Sequence, residues 1–264
     1  MRISILSIIL GIVLAATGII PARAESTLSL TAQADSAYND LAYARALELY
    51  TEAADSLGLS SDLCYNIGNT YYRLNDLGHA ILWYERALRL DPTNDDARTN
   101  LEFVNARIAD RPTDDRSMIT RVYDDVTESA HHDTWAWISF ALFAVTVIAF
   151  TLYLIVSNVI VKKICFFGGG VLLIVTVFAL ALSLTGASRA TDTDTAVITS
   201  PAAQLSTAPR AATDAGSQAF LLHEGTKVEI VDSVMPAGDN ADAWYEVRVG
   251  NARAWVNGRD IERI

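Results

Sequence analysis

Residues 64–92 read CYNIGNTYYRLNDLGHAILWYERALRLDP, and their pattern decides how the first half of the chain is organised. Ile67 and Gly68 pair a large residue with a small one, Tyr71 follows a turn later, and Ala80, Tyr84 and Ala87 share one side of a second helix. Asn75-Asp76 breaks the first helix, and Asp91-Pro92 stops the second, because proline has no amide hydrogen and clashes with the turn before it. Gly68 and Ala80 leave room for two helices to approach closely, while Tyr71 and Tyr84 fill the space between turns.

Working backward from this stretch, the chain matches itself at a shift of 34 residues. Tyr38 aligns with Tyr72, Ala46 with Ala80, Tyr50 with Tyr84 and Ala53 with Ala87. This helix-turn-helix period resembles the tetratricopeptide repeat over about Ala32 to Pro92. The first copy is degenerate, with Ala34 in place of the glycine and Gly58 in the turn where proline is usual. Asn94 to Asp110 predicts a capping helix with a polar outer face. The resemblance implies a concave surface that holds a partner peptide or helix. Helix phase puts Asn66, Asn69, Tyr72 and Arg73 on that surface.

Working forward, Ile119, Val122, Tyr123 and Val126 recur at helical spacing. They predict an amphipathic helix whose apolar face packs on the repeat, rests on lipid or binds a partner. Two apolar stretches come next, 135–161 and 164–184, each long enough for the roughly 20 residues that a membrane-crossing helix needs. Lys162-Lys163 supply the basic residues of the short link, so the positive-inside bias places the link in the cytoplasm and both soluble parts on the far side. Neither span carries Asp, Glu, His or Arg, which argues against an ion or proton pathway. At the N-terminus, Arg2, an apolar run from Ile3 to Ile20 and the pattern Ala22-Arg23-Ala24 read as a cleavable secretory signal.

Beyond Asp194 the pattern changes to short strands. Ala196 to Ile198, Ala203 to Thr207, Lys227 to Val231, Trp244 to Val249 and Arg253 to Val256 are strand signals, and Gly250-Asn251 is a tight turn. His223 to Val228, Trp244 to Val247 and Ala254 to Val256 resemble bacterial SH3-like domains. That resemblance implies a small barrel, with cell-wall peptide as its ligand. Tyr245 and Trp255 are candidates to line a peptide groove, the alternative being that Trp244 and Trp255 pack in the core or at a sheet edge.

The formal net charge is -11. Residues 25–133 hold 20 acids against 9 arginines, so nucleic acid and electrostatic adhesion to anionic lipid are both disfavoured. The sequence has no P-loop, dinucleotide glycine motif or Gly-x-Ser-x-Gly elbow. His131-His132-Asp133 is the nearest approach to a metal site. Neighbouring residues of one helix point about 100° apart, so one ion is not expected to take both rings. Neither a catalytic site, a metal nor a cofactor is expected.

The reading is thus a multidomain membrane protein. It comprises a signal peptide (1–24), an all-α repeat domain (25–110), a juxtamembrane segment (111–134), a hairpin of two spans (135–161 and 164–184) about a cytoplasmic turn (162–163), a linker (185–195) and an all-β SH3-like barrel (196–264). This order resembles the BatE-like tetratricopeptide membrane proteins of the Bat (Bacteroides aerotolerance) operon. The resemblance implies an inner-membrane scaffold facing the periplasm, von Willebrand-type membrane partners and a role in aerotolerance. The alternative is a cell-envelope sensor or anchor whose barrel binds the wall.

Overall fold

The computed structural model describes residues 22–110, 117–214, 216–235 and 242–264, with side chains from Leu30 onward. The signal expected over 1–24 lies outside these residues apart from its last three positions, which open the first helix.

Five helices build the repeat domain: α1 (Ala22–Asn39), α2 (Tyr43–Leu57), α3 (Ser61–Arg73), α4 (Leu77–Leu90) and α5 (Asp95–Asn105). Each packs on the next. Three of them begin on a side chain that accepts from the amide three residues on: Ser60 from Leu63, Asp76 from His79 and Asn94 from Ala97. The 34-residue period is written into the backbone. Leu41 and Asn75, one period apart, both adopt φ 62° in the interhelical turn. The next amides, those of Ala42 and Asp76, donate to Ala37 and Tyr71 at 2.8 and 3.0 Å. Asparagine tolerates that left-handed geometry better than leucine does, so in the first copy the backbone bond and the packed helices hold a turn that Leu41 does not favour.

The side chains repeat as well. Tyr50 donates to Asp35 at 2.5 Å, and one period later Tyr84 donates to Asn69 at 2.7 Å. A Cβ on Gly68 would lie 2.8 Å from the Tyr84 ring, so glycine is what admits the tyrosine. Ala46, Ala53, Cys64, Ile67, Ala80 and Ala87 are fully buried around these contacts.

Next come α6 (Met118–Glu128), α7 (His132–Ile155) and α8 (Val159–Thr191). The last two pack along each other and are long and apolar enough to cross a membrane. Their boundaries depart from the sequence expectation. The chain breaks at Val156–Asn158, where Asn158 accepts from the amides of Ile160 and Val161, so Lys162 and Lys163 lie inside α8 rather than in a turn. Helix α8 also continues to Thr191 through most of the expected linker, because no proline interrupts Thr185 to Thr191.

The remainder is one antiparallel sheet: β1 (Thr195–Ile198), β2 (Ala202–Ser206), β3 (Gln218–His223), β4 (Lys227–Val234), β5 (Trp244–Val249), β6 (Ala252–Asn257) and β7 (Ile261–Arg263). Its order is β3-β2-β6-β5-β4-β1-β7, and the end strands β3 and β7 do not pair, so the expected barrel is not closed. The three-residue β7 is covered by a helix instead: Arg86 of α4 donates to the Arg263 carbonyl at 2.7 Å.

The sheet docks on the repeat domain through β1. Strand geometry sends alternate side chains to opposite faces. Ala196 and Ile198 therefore enter the sheet's core, with Leu205, Val247 and Val256, while Val197 enters the helical core beside Ile81, Val104 and Ile108. A glycine on each side permits the approach. A Cβ on Gly225 would meet Ile81 Cδ1 at 2.6 Å, and one on Gly78 would meet the Ile198 carbonyl at 3.1 Å. Polar contacts frame this apolar centre. The Asp110 carboxylate accepts from the His223 amide at 2.7 Å and from Thr226 Oγ1 at 3.1 Å. Lys227 meets Glu85 at 2.7 Å, and Glu262 approaches both His79 (3.4 Å) and Arg86 (3.6 Å).

Candidate functional site

The groove that remains open lies between α1, α3 and α5. It is a cavity of about 290 Å³ lined by Tyr38, Tyr65, Asn69, Tyr72, Arg73 and Asn100, with the buried Tyr84 and Val104 and the half-exposed Phe103 completing it. Alternate helices of the array present one face here, which is why residues about one period apart meet in it.

Two amides organise its floor. Asn69 Oδ1 accepts from both Tyr84 Oη (2.7 Å) and Asn100 Nδ2 (2.8 Å). Its oxygen is thereby used, and the Asn69 amide nitrogen and the Asn100 oxygen carry no partner among the described residues. A donor and an acceptor side by side match the carbonyl and amide of an extended peptide. Burial pushes the Tyr84 hydroxyl pKa upward, so it stays a neutral donor.

Two arginines, 34 residues apart, border the groove. The Arg73 guanidinium lies 5.4 Å from the Tyr43 ring centre. Arg107 lies 4.0 Å from that of Phe103, with an N–H donating to Tyr72 Oη at 2.5 Å. Neither has a carboxylate partner among the described residues. In a chain of net charge -11, this groove therefore carries the opposite sign to the rest of the repeat domain.

Of the four residues that helix phase assigned to this surface, Asn69, Tyr72 and Arg73 line the cavity. Asn66 does not; its place is taken by Asn100, which stands one period later on α5. Tyr38, Tyr65, Asn100, Phe103 and Arg107 were missed. The 34-residue shift signals three of them, since it relates Tyr38 to Tyr72, Asn66 to Asn100 and Arg73 to Arg107; it gives no signal for Tyr65 or Phe103. The last two relations are masked because Glu102 and Asn105 of α5 depart from the repeat pattern.

The pair Tyr245 and Trp255 is not brought together. Tyr245 sits opposite Val256 and Trp255 opposite Glu246, so the two rings lie on opposite faces of the sheet. Tyr245 packs against the sheet core beneath the Arg263 guanidinium, while Trp255 shares the outer face with Glu246. No single groove uses both.

The His131-His132-Asp133 donors lie within 4.8 Å of one another. The divergence expected for neighbours on one helix does not apply, because His131 is the N-cap of α7, outside the helix proper, and its ring tilts over His132 at 4.2 Å. All three side chains are open to solvent to some degree, and the Asp133 side chain is 74% exposed.

A second cavity, about 400 Å³, lies where α4, α5, α6, α8 and β1 converge. Its cations are already satisfied: Arg98 by Glu128 (2.9 Å), Lys227 by Glu85 (2.7 Å), Arg189 by Asp124 and Glu128, and Arg89 by the Ile264 carbonyl and Thr195 (3.0 Å). Cys64 is fully buried, and burial pushes its thiol up to about 11, so it is an inert packing residue.

Comparison with known proteins bears on the helical part. Residues 61–94 match the tetratricopeptide repeat family. No curated protein matches the chain. The chain thus contains a tetratricopeptide repeat, a module that generally mediates protein–protein interaction rather than catalysis.

Proposed function

We propose that this protein is a membrane-anchored, non-catalytic scaffold whose helical groove holds an extended, acidic segment of a partner protein. The groove carries the reading. It offers a peptide-matching amide pair, aromatic walls, and two arginines with no carboxylate partner among the described residues, in an otherwise acidic domain. An acidic strand would exchange water for charge-assisted bonds to both guanidiniums.

The hairpin of α7 and α8 is the anchor in this reading. Lys162 and Lys163 put its tip in the cytoplasm and both soluble parts on the periplasmic side of an inner membrane. The sheet reads as an opened SH3-like module, docked on the repeat rather than free to search for wall peptide. The module order is similar to that of BatE-like proteins, which supports a place in an envelope complex with von Willebrand-type partners and a contribution to aerotolerance.

Co-purification from gently solubilised membranes tests this reading. The intact chain is compared with the Arg73→Ala, Arg107→Ala double variant, and captured proteins are identified by mass spectrometry. Membrane partners bearing an acidic segment, lost in the double variant, are the expected result. Partners retained in full by the double variant would remove the groove from the mechanism.

A further inference from the structure

Helix α6 is built the wrong way round for a helix in water. Two of its polar residues, Asp124 and Thr127, are buried, at 5% and 3% exposure, while Thr120, Arg121 and Asp125 are exposed. Its apolar residues Met118, Ile119 and Val122 are 81%, 84% and 54% exposed. On a water-facing helix the burial runs the other way. At about 100° per residue, Met118, Ile119, Val122 and Val126 fall within one arc of roughly 100°, and Asp124 and Glu128 lie on the far side.

The neighbours of α6 define what that arc faces. Tyr123 contacts α8 low down, its ring 6.2 Å from the Phe178 ring and its hydroxyl 2.9 Å from Thr185 Oγ1. Asp124 and Glu128 contact α8 at its polar end, through Arg189. Phe178 and Arg189 are 11 residues apart, about 16 Å along a helix. The charged side of α6 therefore points toward the aqueous end of the hairpin. The exposed apolar arc points the other way, level with the hairpin's own apolar surface.

We propose that α6 is an interfacial helix, with Met118, Ile119 and Val122 seated in the outer leaflet of the bilayer beside α8. The occupant of this face is lipid, because the arc continues the apolar band of the hairpin. The inference rests on the reading that the hairpin spans the membrane. Its attraction is apolar: Arg121 and Asp125 on the rim offset each other, so zwitterionic lipid suffices. Through Glu128, which joins Arg98 of α5 to Arg189 of α8, the helix also fixes the height of the repeat domain above the membrane.

The test uses the full chain carrying Cys165→Ala, with Cys64 left in place because it is buried and inert. In this background Ile119→Cys, Asp125→Cys and Val171→Cys each add one accessible cysteine, which is labelled with an environment-sensitive fluorophore in phosphatidylcholine vesicles. Quenching by nitroxide-labelled lipid is compared with quenching by aqueous iodide. The expected result is strong lipid quenching at 119 and 171 and strong iodide quenching at 125. Iodide quenching at 119 with lipid quenching at 171 overturns the interfacial helix and leaves the spanning hairpin standing. A label at 119 reached by neither quencher also overturns it, because protein and not lipid would then cover the face. Absence of lipid quenching at 171 removes both readings.

Discussion

The second repeat shows two opposite ways of using the same pair of helices. The side of α4 toward the sheet is filled from within the chain: Val197 seals its apolar centre, and Glu85 and Arg86 meet counter-charges from the sheet. The groove side of α3 is left unfilled, with Arg73 lying over an aromatic ring and facing no carboxylate among the described residues. Identical packing rules built both sides. The difference is that the complementary charge is supplied by this chain on the first side, and no carboxylate among the described residues supplies it on the second.

Breaking the filled side should have the largest effect. In Gly225→Val the first side-chain carbon would fall 2.6 Å from Ile81 Cδ1, at a φ of 85° that valine resists. A loss of about 3 kcal/mol is expected from overpacking with backbone strain. Thermal unfolding in detergent would measure it, and new protease cleavage near Asp192 would show the sheet released. Partner capture by the groove should persist.

The open side should respond in the converse way. The Arg73→Ala, Arg107→Ala double variant should weaken partner binding by about 10- to 100-fold, as loss of charged anchors commonly does. Its melting temperature should fall by only a few degrees, since the guanidiniums give up exposed ring contacts and the bond to Tyr72 but no ion pair among the described residues.

Proton concentration sharpens the contrast further. Hydrogen bonds that the imidazolium donates to Asp76 and then to Glu262 raise His79 from 6.5 to about 9. The charged imidazole therefore stabilises the first turn of α4 through Asp76 and the docked sheet through Glu262, fully below about pH 6.5, and this contribution fades as pH climbs through about 9. The loss should be on the order of 1 kcal/mol once solvent screening is allowed for. Equilibrium unfolding at pH 6.5 and 9.5 would measure it, and His79→Gln should flatten the difference. No histidine or carboxylate lines the groove among the described residues.

The smallest effect links the two sides. Tyr84→Phe removes the bond to Asn69 from within the repeat, for about 1 kcal/mol of stability. It also frees Asn69 to rotate, so partner binding should fall a few-fold. Chemical denaturation and partner titration on one preparation would separate the two losses.

Much of this architecture could be read from local pattern. Residues 64–92 fixed two helices and their ends, because caps, glycine placement and proline act within a few residues. The apolar spans and five of the strands were legible for the same reason. Strand β3 was not, since Gln218 to His223 does not alternate cleanly between polar and apolar. The docking of the sheet on α4 left no trace in the sequence. Its contacts join residues more than 100 positions apart, and Arg86, Lys227 and Glu262 each look like ordinary surface charges. The split of Tyr245 from Trp255 was within reach: a turn at Gly250-Asn251 pairs Val249 with Ala252, and counting outward puts Trp255 opposite Glu246. The groove sat between these cases, its period visible and its last helix undervalued.

Helix α8 runs unbroken for 33 residues, about 50 Å, whereas the hydrocarbon layer takes only about 30 Å. The junction between this helix and the sheet has little slack. Asp192 to Asp194 is the whole connection to β1, and even there Asp192 accepts from the Asp194 amide at 2.8 Å while the Asp194 carbonyl receives the Ile230 amide at 2.6 Å. Mechanically, α8 is a drive shaft rather than a tether. A tilt or twist imposed on α8 would pass with little loss to β1, the strand whose two faces feed both cores.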